Sequence, residues 1–199
     1  RTRLVGYSPD DMLARHNHSL QFLKGLPCYD TFFTTKSYNV AELKDLGCPS
    51  VFFVDNAFDP ETHKPVSLTP QQKQMLGGDV GFVGSYESER ADSMLYLALA
   101  GIPVRIYGGN WTRKGRKRIS QLDIEGKSVI AEDYAQVICA FDINLHFLRK
   151  INRDQQTTRS IEIPACGKVV IAERMQEHLA LFEDGAEAVG GLPVEGGVR

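Results

Sequence analysis

Short runs of apolar, β-branched and aromatic residues alternate along the chain with stretches whose apolar positions recur at helical spacing. The runs Arg3–Tyr7, Tyr29–Thr34, Pro49–Val54, Asp79–Val83, Pro103–Tyr107, Asp142–Phe147 and Lys168–Ala172 have the length and composition of strands. Between them, Asn17–Gly25, Val40–Leu46, Glu87–Ala100, Arg113–Leu122, Glu132–Ala140, Thr157–Ala165 and Gln176–Phe182 read as helices. A further short strand is expected at Ser128–Ile130, just before the helix at Glu132. Strict alternation of strand and helix predicts an α/β fold: parallel sheets wrapped by helices, with ligands at the carboxyl ends of the strands.

The pattern breaks between Asn56 and Gly78, where Asp59-Pro60, Lys64-Pro65, Thr69-Pro70 and Gly77-Gly78 replace core periodicity. A stretch of about 20 residues without such periodicity is uncommon inside one compact domain, so it reads as a linker. Two α/β lobes follow from this: residues 1–75, a partial lobe of βα units plus the linker, and residues 76–199, a fuller domain. After Phe182 the chain turns Gly-rich, which suits either a low-complexity tail or a truncated end. It opens Arg1-Thr2-Arg3 and enters the first apolar run directly, as a piece of a longer protein would.

Composition narrows the class of function. With 23 Lys and Arg against 25 Asp and Glu, the net charge of -2 supplies no global field for nucleic acid or an acidic membrane, so neither is an expected partner and any anion site must be local. No apolar run reaches the roughly 18 residues of a membrane span, and no secretory leader pattern precedes the first strand. Cys28, Cys48, Cys139 and Cys166 have neither metal-finger nor redox-motif spacing and read as free thiols. A cytoplasmic location is expected.

Two constellations carry chemistry. In Asp79-Val80-Gly81-Phe82-Val83-Gly84-Ser85 a strand ends in Gly-Ser shortly before a helix; such a turn lets backbone N–H groups approach a phosphate, and it is also a common strand-to-helix connection. In the second, the strand Asp142–Phe147 leads into a loop with Asn152, Arg153 and Asp154, and a new helix opens near Thr157 or Thr158, a fair N-cap. Arg159 and Glu162 then share one face of its first turns. A carboxylate there suits the hydroxyls of a ribose and an Arg suits phosphate oxygens, while a surface salt bridge uses the same spacing.

The run Arg159-Ser160-Ile161-Glu162-Ile163-Pro164-Ala165-Cys166-Gly167-Lys168-Val169-Val170-Ile171 resembles the Glu-Ala-Met-Ala-Cys-Gly element of glycosyltransferases with two Rossmann-like domains, the GT-B fold. Val83-Gly84-Ser85 with Arg90, Val104 to Trp111, and Ile143-Asn144-Leu145 followed by Arg159 and Glu162 are similar in order and spacing to the CgeB-like, spore-maturation-protein-like members. Phe182 to Val189 is similar to the stretch that follows in that family. The likeness covers about Asp79 to Val189, and more weakly Leu4 to Val54, the family's acceptor-side domain.

The resemblance implies transfer of a sugar from a nucleotide-diphosphate donor to an acceptor of unknown class, whether glycan, protein or small molecule. It implies two Rossmann-like lobes, the first incomplete. Glu162 matches the family carboxylate that holds the nucleotide ribose, and Asp154, eight residues earlier, falls where the family has a carboxylate facing the sugar. Gly84, Ser85, Arg90 and Arg159 are the expected anion partners, and the base is expected near the loop from Ser128 to Tyr134. No Asp-x-Asp stands in a suitable place, so metal-independent chemistry without a cofactor is expected.

Some residues keep two readings. His146, near the end of its strand, is a buried core histidine or a catalytic contact to the donor sugar; Trp111 stacks on a ring or packs at the rim. The run Arg113–Arg118 reads as a solvated helix face, and His16 and His18 beside Asp10 and Asp11 as polar loop residues. Two rival classes remain: a non-catalytic nucleotide-sugar-binding or scaffold fragment, and a phospho-receiver domain with Asp10, Asp11 and Asp55 as its acidic pocket and Ser85 as its hydroxyl residue. The absence of a Lys after the strand Pro103–Tyr107 counts against the receiver.

Overall fold

In the computed structural model of the chain, the described residues are 2–111, 122–183 and 189–190. All but the last residue of the expected helix at Arg113–Leu122, the basic run Arg113–Arg118, most of the motif after Phe182 and the Gly-rich tail lie outside them. Contacts divide the chain into two compact units: Arg1–Ala57 with Leu148–Thr157, and Phe58–Phe147 with Thr158–Arg199.

The first unit is built on strands β1 (Val5–Ser8), β2 (Thr31–Thr34) and β3 (Val51–Phe53), all parallel and adjacent in that order. Helices α1 (Leu20–Gly25) and α2 (Asn39–Asp45) make the crossovers. Ser19 starts α1 by accepting the Phe22 amide at 3.1 Å, so the helix begins later than its apolar spacing predicts. Leu26, Phe32, Leu43, Cys48 and Val51 form the core of this unit.

The second unit carries α3 (Pro70–Leu76), β4 (Gly78–Val83), α4 (Ser88–Leu99), β5 (Arg105–Tyr107), β6 (Asp123–Ile124), α5 (Ala131–Ala140), β7 (Phe141–His146), α6 (Arg159–Ala165), β8 (Val169–Ala172), α7 (Gln176–Leu181) and β9 (Val189–Gly190). Its sheet is parallel throughout with order β6-β5-β4-β7-β8-β9, so strand order reverses between β4 and β7. That is the Rossmann arrangement, in which the crevice at the reversal point receives the ligand. Phe82, Met94, Val104, Ile106, Trp111 and Leu145 fill one face of the sheet; Val83, Tyr107, Tyr134, Val137, Ile138, Phe141, Ile163 and Val170 fill the other.

The α/β class with parallel sheets in two Rossmann-like units is therefore the fold observed. The two sheets are separate, which removes the receiver reading: β3, ahead of Asp55, and β4, ahead of Ser85, belong to different sheets. Three local expectations need correction. The stretch read as a linker holds α3, whose Thr69 and Gln72 complete a capping box, and α3 packs on α5 in the second unit. The strand expected at Ser128–Ile130 is instead β6 at Asp123–Ile124, where Arg105 and Ile106 of β5 offer a register. Thr158 precedes α6 in helical conformation and makes no side-chain cap.

Candidate functional site

The carboxyl ends of β4 and β7 frame the reversal point of the second sheet. Gly84 follows β4, but its N–H donates to the Tyr107 carbonyl at 2.8 Å and its own carbonyl accepts the Trp111 indole N–H at 2.8 Å. Tyr86 N–H reaches Gly109 O at 3.0 Å, so the turn after β4 is stitched to the turn after β5. Gly108 makes this possible: its φ is +145°, and a Cβ there would stand 1.9 Å from the Gly84 carbonyl oxygen. The Gly84 amide is thus committed inside the fold. Ser85, next along the chain, is exposed. Trp111 is fully buried, which makes it a packing residue.

Arg90, on the first turns of α4, is buried. Its guanidinium donates to Ser85 O and to Phe147 O, both at 3.3 Å, and lies 3.5 Å from Glu87. It ties the ends of β4 and β7 together across the reversal point. His146 ends β7 and is 2% exposed; burial pushes its imidazolium well below the usual histidine range, so the ring is neutral. Its Nε2 lies 3.1 Å from Ser160 Oγ, Ser160 Oγ lies 2.8 Å from His178 Nε2, and His178 Nδ1 lies 2.8 Å from Glu173 O. A carbonyl can only accept, so His178 carries its proton on Nδ1. This chain of hydrogen bonds joins β7 to α6 and α7.

A second group of residues lies on α5 and α6. Tyr134, in the first turn of α5, is 7% exposed, and Glu162 sits on α6 with 16% of its side chain exposed. Burial first, and then the negative charge of Glu162, raise the Tyr134 hydroxyl so that it stays protonated, against the opposing pull of Arg159. The Arg159 Nε is buried with no hydrogen-bond partner among the described residues, while the Tyr134 hydroxyl lies against the Glu162 carboxylate. A neutral donor, a cationic donor and a carboxylate therefore stand together at the start of two helices.

The sequence had not pointed to the fourth member. His63 reaches Glu162 Oε1 with Nε2 at 3.8 Å and meets the Tyr134 ring edge-on at 5.6 Å between centroids. It comes from the stretch read as a linker; only Asp59-Pro60 hinted at the ordered turn that presents it.

Asp154 groups with the first unit. Its carboxylate is 2.6 Å from Lys36 Nζ, with both side chains almost fully buried, and accepts Asn152 Nδ2–H at 3.0 Å. Glu162 groups with the second, although eight positions separate the two in sequence. The neighbouring Arg153, in left-handed conformation, donates to Asp11 at 2.7 and 3.0 Å and to Glu42 at 2.9 Å, and stacks on Tyr38 at 4.3 Å. Burial alone would raise the Asp11 carboxyl, but hydrogen bonds from Arg153, Asn39 and the Leu13 amide outweigh it and hold it at about 2. Among the described residues, no group of three or more His, Cys, Asp or Glu is placed to hold a metal ion, and no helix is long and apolar enough to cross a membrane.

The family model described as "Glycosyl transferase-like" matches residues 90–193, just over half of the chain. The chain belongs to this glycosyl transferase-like family. The match takes in Arg90, Tyr134, His146, Asp154, Arg159 and Glu162 and leaves His63, Gly84 and Ser85 outside. Among solved structures, the chain is similar to HepE from Anabaena, in complex with UDP and glucose, with 17% identity and a TM-score of 0.66 over 96% of this chain and 58% of that one. A second HepE structure, in complex with UDP-glucose, matches with 17% identity and a TM-score of 0.66 over 97% and 59%. At this identity the likeness is one of fold, and the chain spans under three fifths of the length of HepE. No curated protein sequence matches the chain.

Proposed function

We propose that the chain is the donor-binding part of a CgeB-like glycosyltransferase that moves a sugar from a nucleoside-diphosphate donor to an acceptor whose class is open. The second unit is the donor side and the first unit the acceptor side. The observation that carries the reading is the set of Tyr134, Arg159 and Glu162 at the edge of a Rossmann-like sheet. Its buried cationic donor, Arg159 Nε, lacks a partner, and such groups are rare in folded proteins unless a ligand completes them. Glu162 supplies acceptors for the ribose hydroxyls, and Arg159 supplies charge for the diphosphate. Support also comes from the family and from the UDP held by HepE.

The proposed chemistry is metal-independent: departing diphosphate charge is met by Arg159 and by exposed Ser85. Arg90 acts through the strand ends it joins, and Gly84 through the turn it allows. His146, buried and neutral, holds the floor of the site. Asp154, bound to Lys36, serves the first unit. The unpaired thiols of all four cysteines suit a reducing, cytoplasmic setting. Calorimetry with UDP, GDP and ADP tests the reading. Binding of at least one, weakened at least about tenfold in Glu162→Ala with the fold intact, is the expected result.

A further inference from the structure

His63 lies outside the family match, yet the fold gives it a fixed place and a fixed tautomer. Asp59 organises the turn that carries it: Oδ1 accepts the Glu61 amide at 3.0 Å, Oδ2 accepts the Thr62 hydroxyl at 2.7 Å, and the carbonyl accepts the His63 amide at 2.7 Å. The Asp59 amide then donates to His63 Nδ1 at 3.1 Å. A ring nitrogen that accepts from an amide carries no proton, so in the neutral ring the proton sits on Nε2. Nε2 lies 3.8 Å from Glu162 Oε1, with 16% of each side chain exposed. The edge-on ring of Tyr134 holds the imidazole from the side.

The separation is informative. At 3.8 Å the donor and the acceptor lie beyond the usual hydrogen-bond range of about 2.7–3.2 Å, so neither satisfies the other. A hydroxyl oxygen set to one side of the pair can lie about 2.8 Å from both, donating its proton to the carboxylate and accepting the imidazole N–H. A sugar hydroxyl is a group that offers both functions at one atom. A carboxylate alone would accept from any donor; the pair asks for an oxygen that also accepts.

We propose that His63 and Glu162 together form a ribose-hydroxyl recognition site, in which His63 determines the selection of ribonucleotide over deoxyribonucleotide donors. This rests on the reading of Glu162 as the ribose carboxylate and assigns the other half of the contact. The segment Phe58–Val66 then does more than connect. Through His63, and through Val66, whose amide donates to Cys139 Sγ at 3.3 Å, it forms a wall of the donor site in the second unit.

The test measures dissociation constants of UDP, GDP and ADP and of their 2′-deoxy and 3′-deoxy counterparts for the 199-residue chain and for His63→Ala, His63→Gln and Glu162→Ala. The unaltered chain is expected to prefer one ribonucleotide over one of its deoxy forms by about tenfold or more. His63→Ala is expected to bring that ratio to about threefold or less, while His63→Gln, whose side-chain amide can donate from nearly the same place, keeps most of it. Thermal melts confirm that each variant is folded. A ratio unchanged in His63→Ala but lost in Glu162→Ala overturns the role of His63 and leaves the ribose reading standing. Binding of no nucleoside diphosphate, or a ratio unchanged in Glu162→Ala, overturns the donor reading and this proposal with it.

Discussion

The two units handle buried polar groups in opposite ways. In the first, Asp11, Arg153, Glu42 and Asn39 bond one another, and Lys36 is closed on Asp154. In the second, the buried Arg159 Nε has no partner among the described residues, and His63 and Glu162 stand just too far apart to complete each other. Buried charge costs free energy unless it is paired, so a closed network is what a fold needs to hold a segment in place. An open one is a cost that a ligand can remove. On the proposed reading, Arg153 and Asp154 serve the architecture and Arg159 and Glu162 the donor, although all four come from one short stretch of chain.

The sharpest way to break the contrast is to open the closed network. Lys36→Met leaves the Asp154 carboxylate buried without its cation and should cost about 3–5 kcal/mol in urea unfolding. The double change Lys36→Met with Asp154→Leu should recover most of that loss, because both charges are then gone. Nucleotide affinity should not move in either variant; a parallel loss of binding would place Asp154 in the donor site after all. Removing an acceptor from the open network should do the reverse. Glu162→Ala should weaken the best nucleoside diphosphate by about 1–3 kcal/mol and leave the unfolding midpoint almost unchanged.

Acid sharpens the same division. The Asp11 carboxyl is held at about 2 in the folded chain, below its ordinary value of 3.8, so its contribution is fully present above that ordinary value. It is lost as pH falls from about 4 to about 2, by on the order of 2 kcal/mol. Unfolding followed between pH 5 and 2 should therefore show a slope that Asp11→Asn makes shallower, with Glu42, Asp59 and Asp142, also held low, supplying the rest; an identical slope in that variant would take Asp11 out of the network. The smallest effect belongs to an exposed pair in the second unit. Lys73 and Asp142, 2.7 Å apart with about half of each side chain in water, should contribute under about 0.5 kcal/mol, and Lys73→Ala should shift the melting temperature very little.

Much of this was legible in the chain. The strands appear within one or two residues of the apolar runs that announce them, because a buried parallel strand requires an unbroken apolar stretch whatever its neighbours. Glu162 and Arg159 stood out because helical spacing puts them on one face, a purely local property. The edge strands Asp123–Ile124 and Val189–Gly190 were missed, since two residues carry no periodicity and only a neighbouring strand makes them one. Helix α3 was hidden by the prolines around it, although Thr69, Pro70 and Gln72 spell a helix start in local terms.

The alternation of strand and helix, the α/β class, the family and the two helical site residues follow from the order of amino acids alone, because periodicity, capping and spacing act over a few residues. Which polar groups close on each other does not. Asp154 and Glu162 look like a pair in the sequence, yet Asp154 is closed on Lys36, more than a hundred positions away, while Glu162 has His63, nearly as far in sequence, only at 3.8 Å. Those partners are chosen by where the crossovers bring the chain back. A buried charge must take whatever complementary group arrives within bonding distance, and that distance exists only after the sheets have formed.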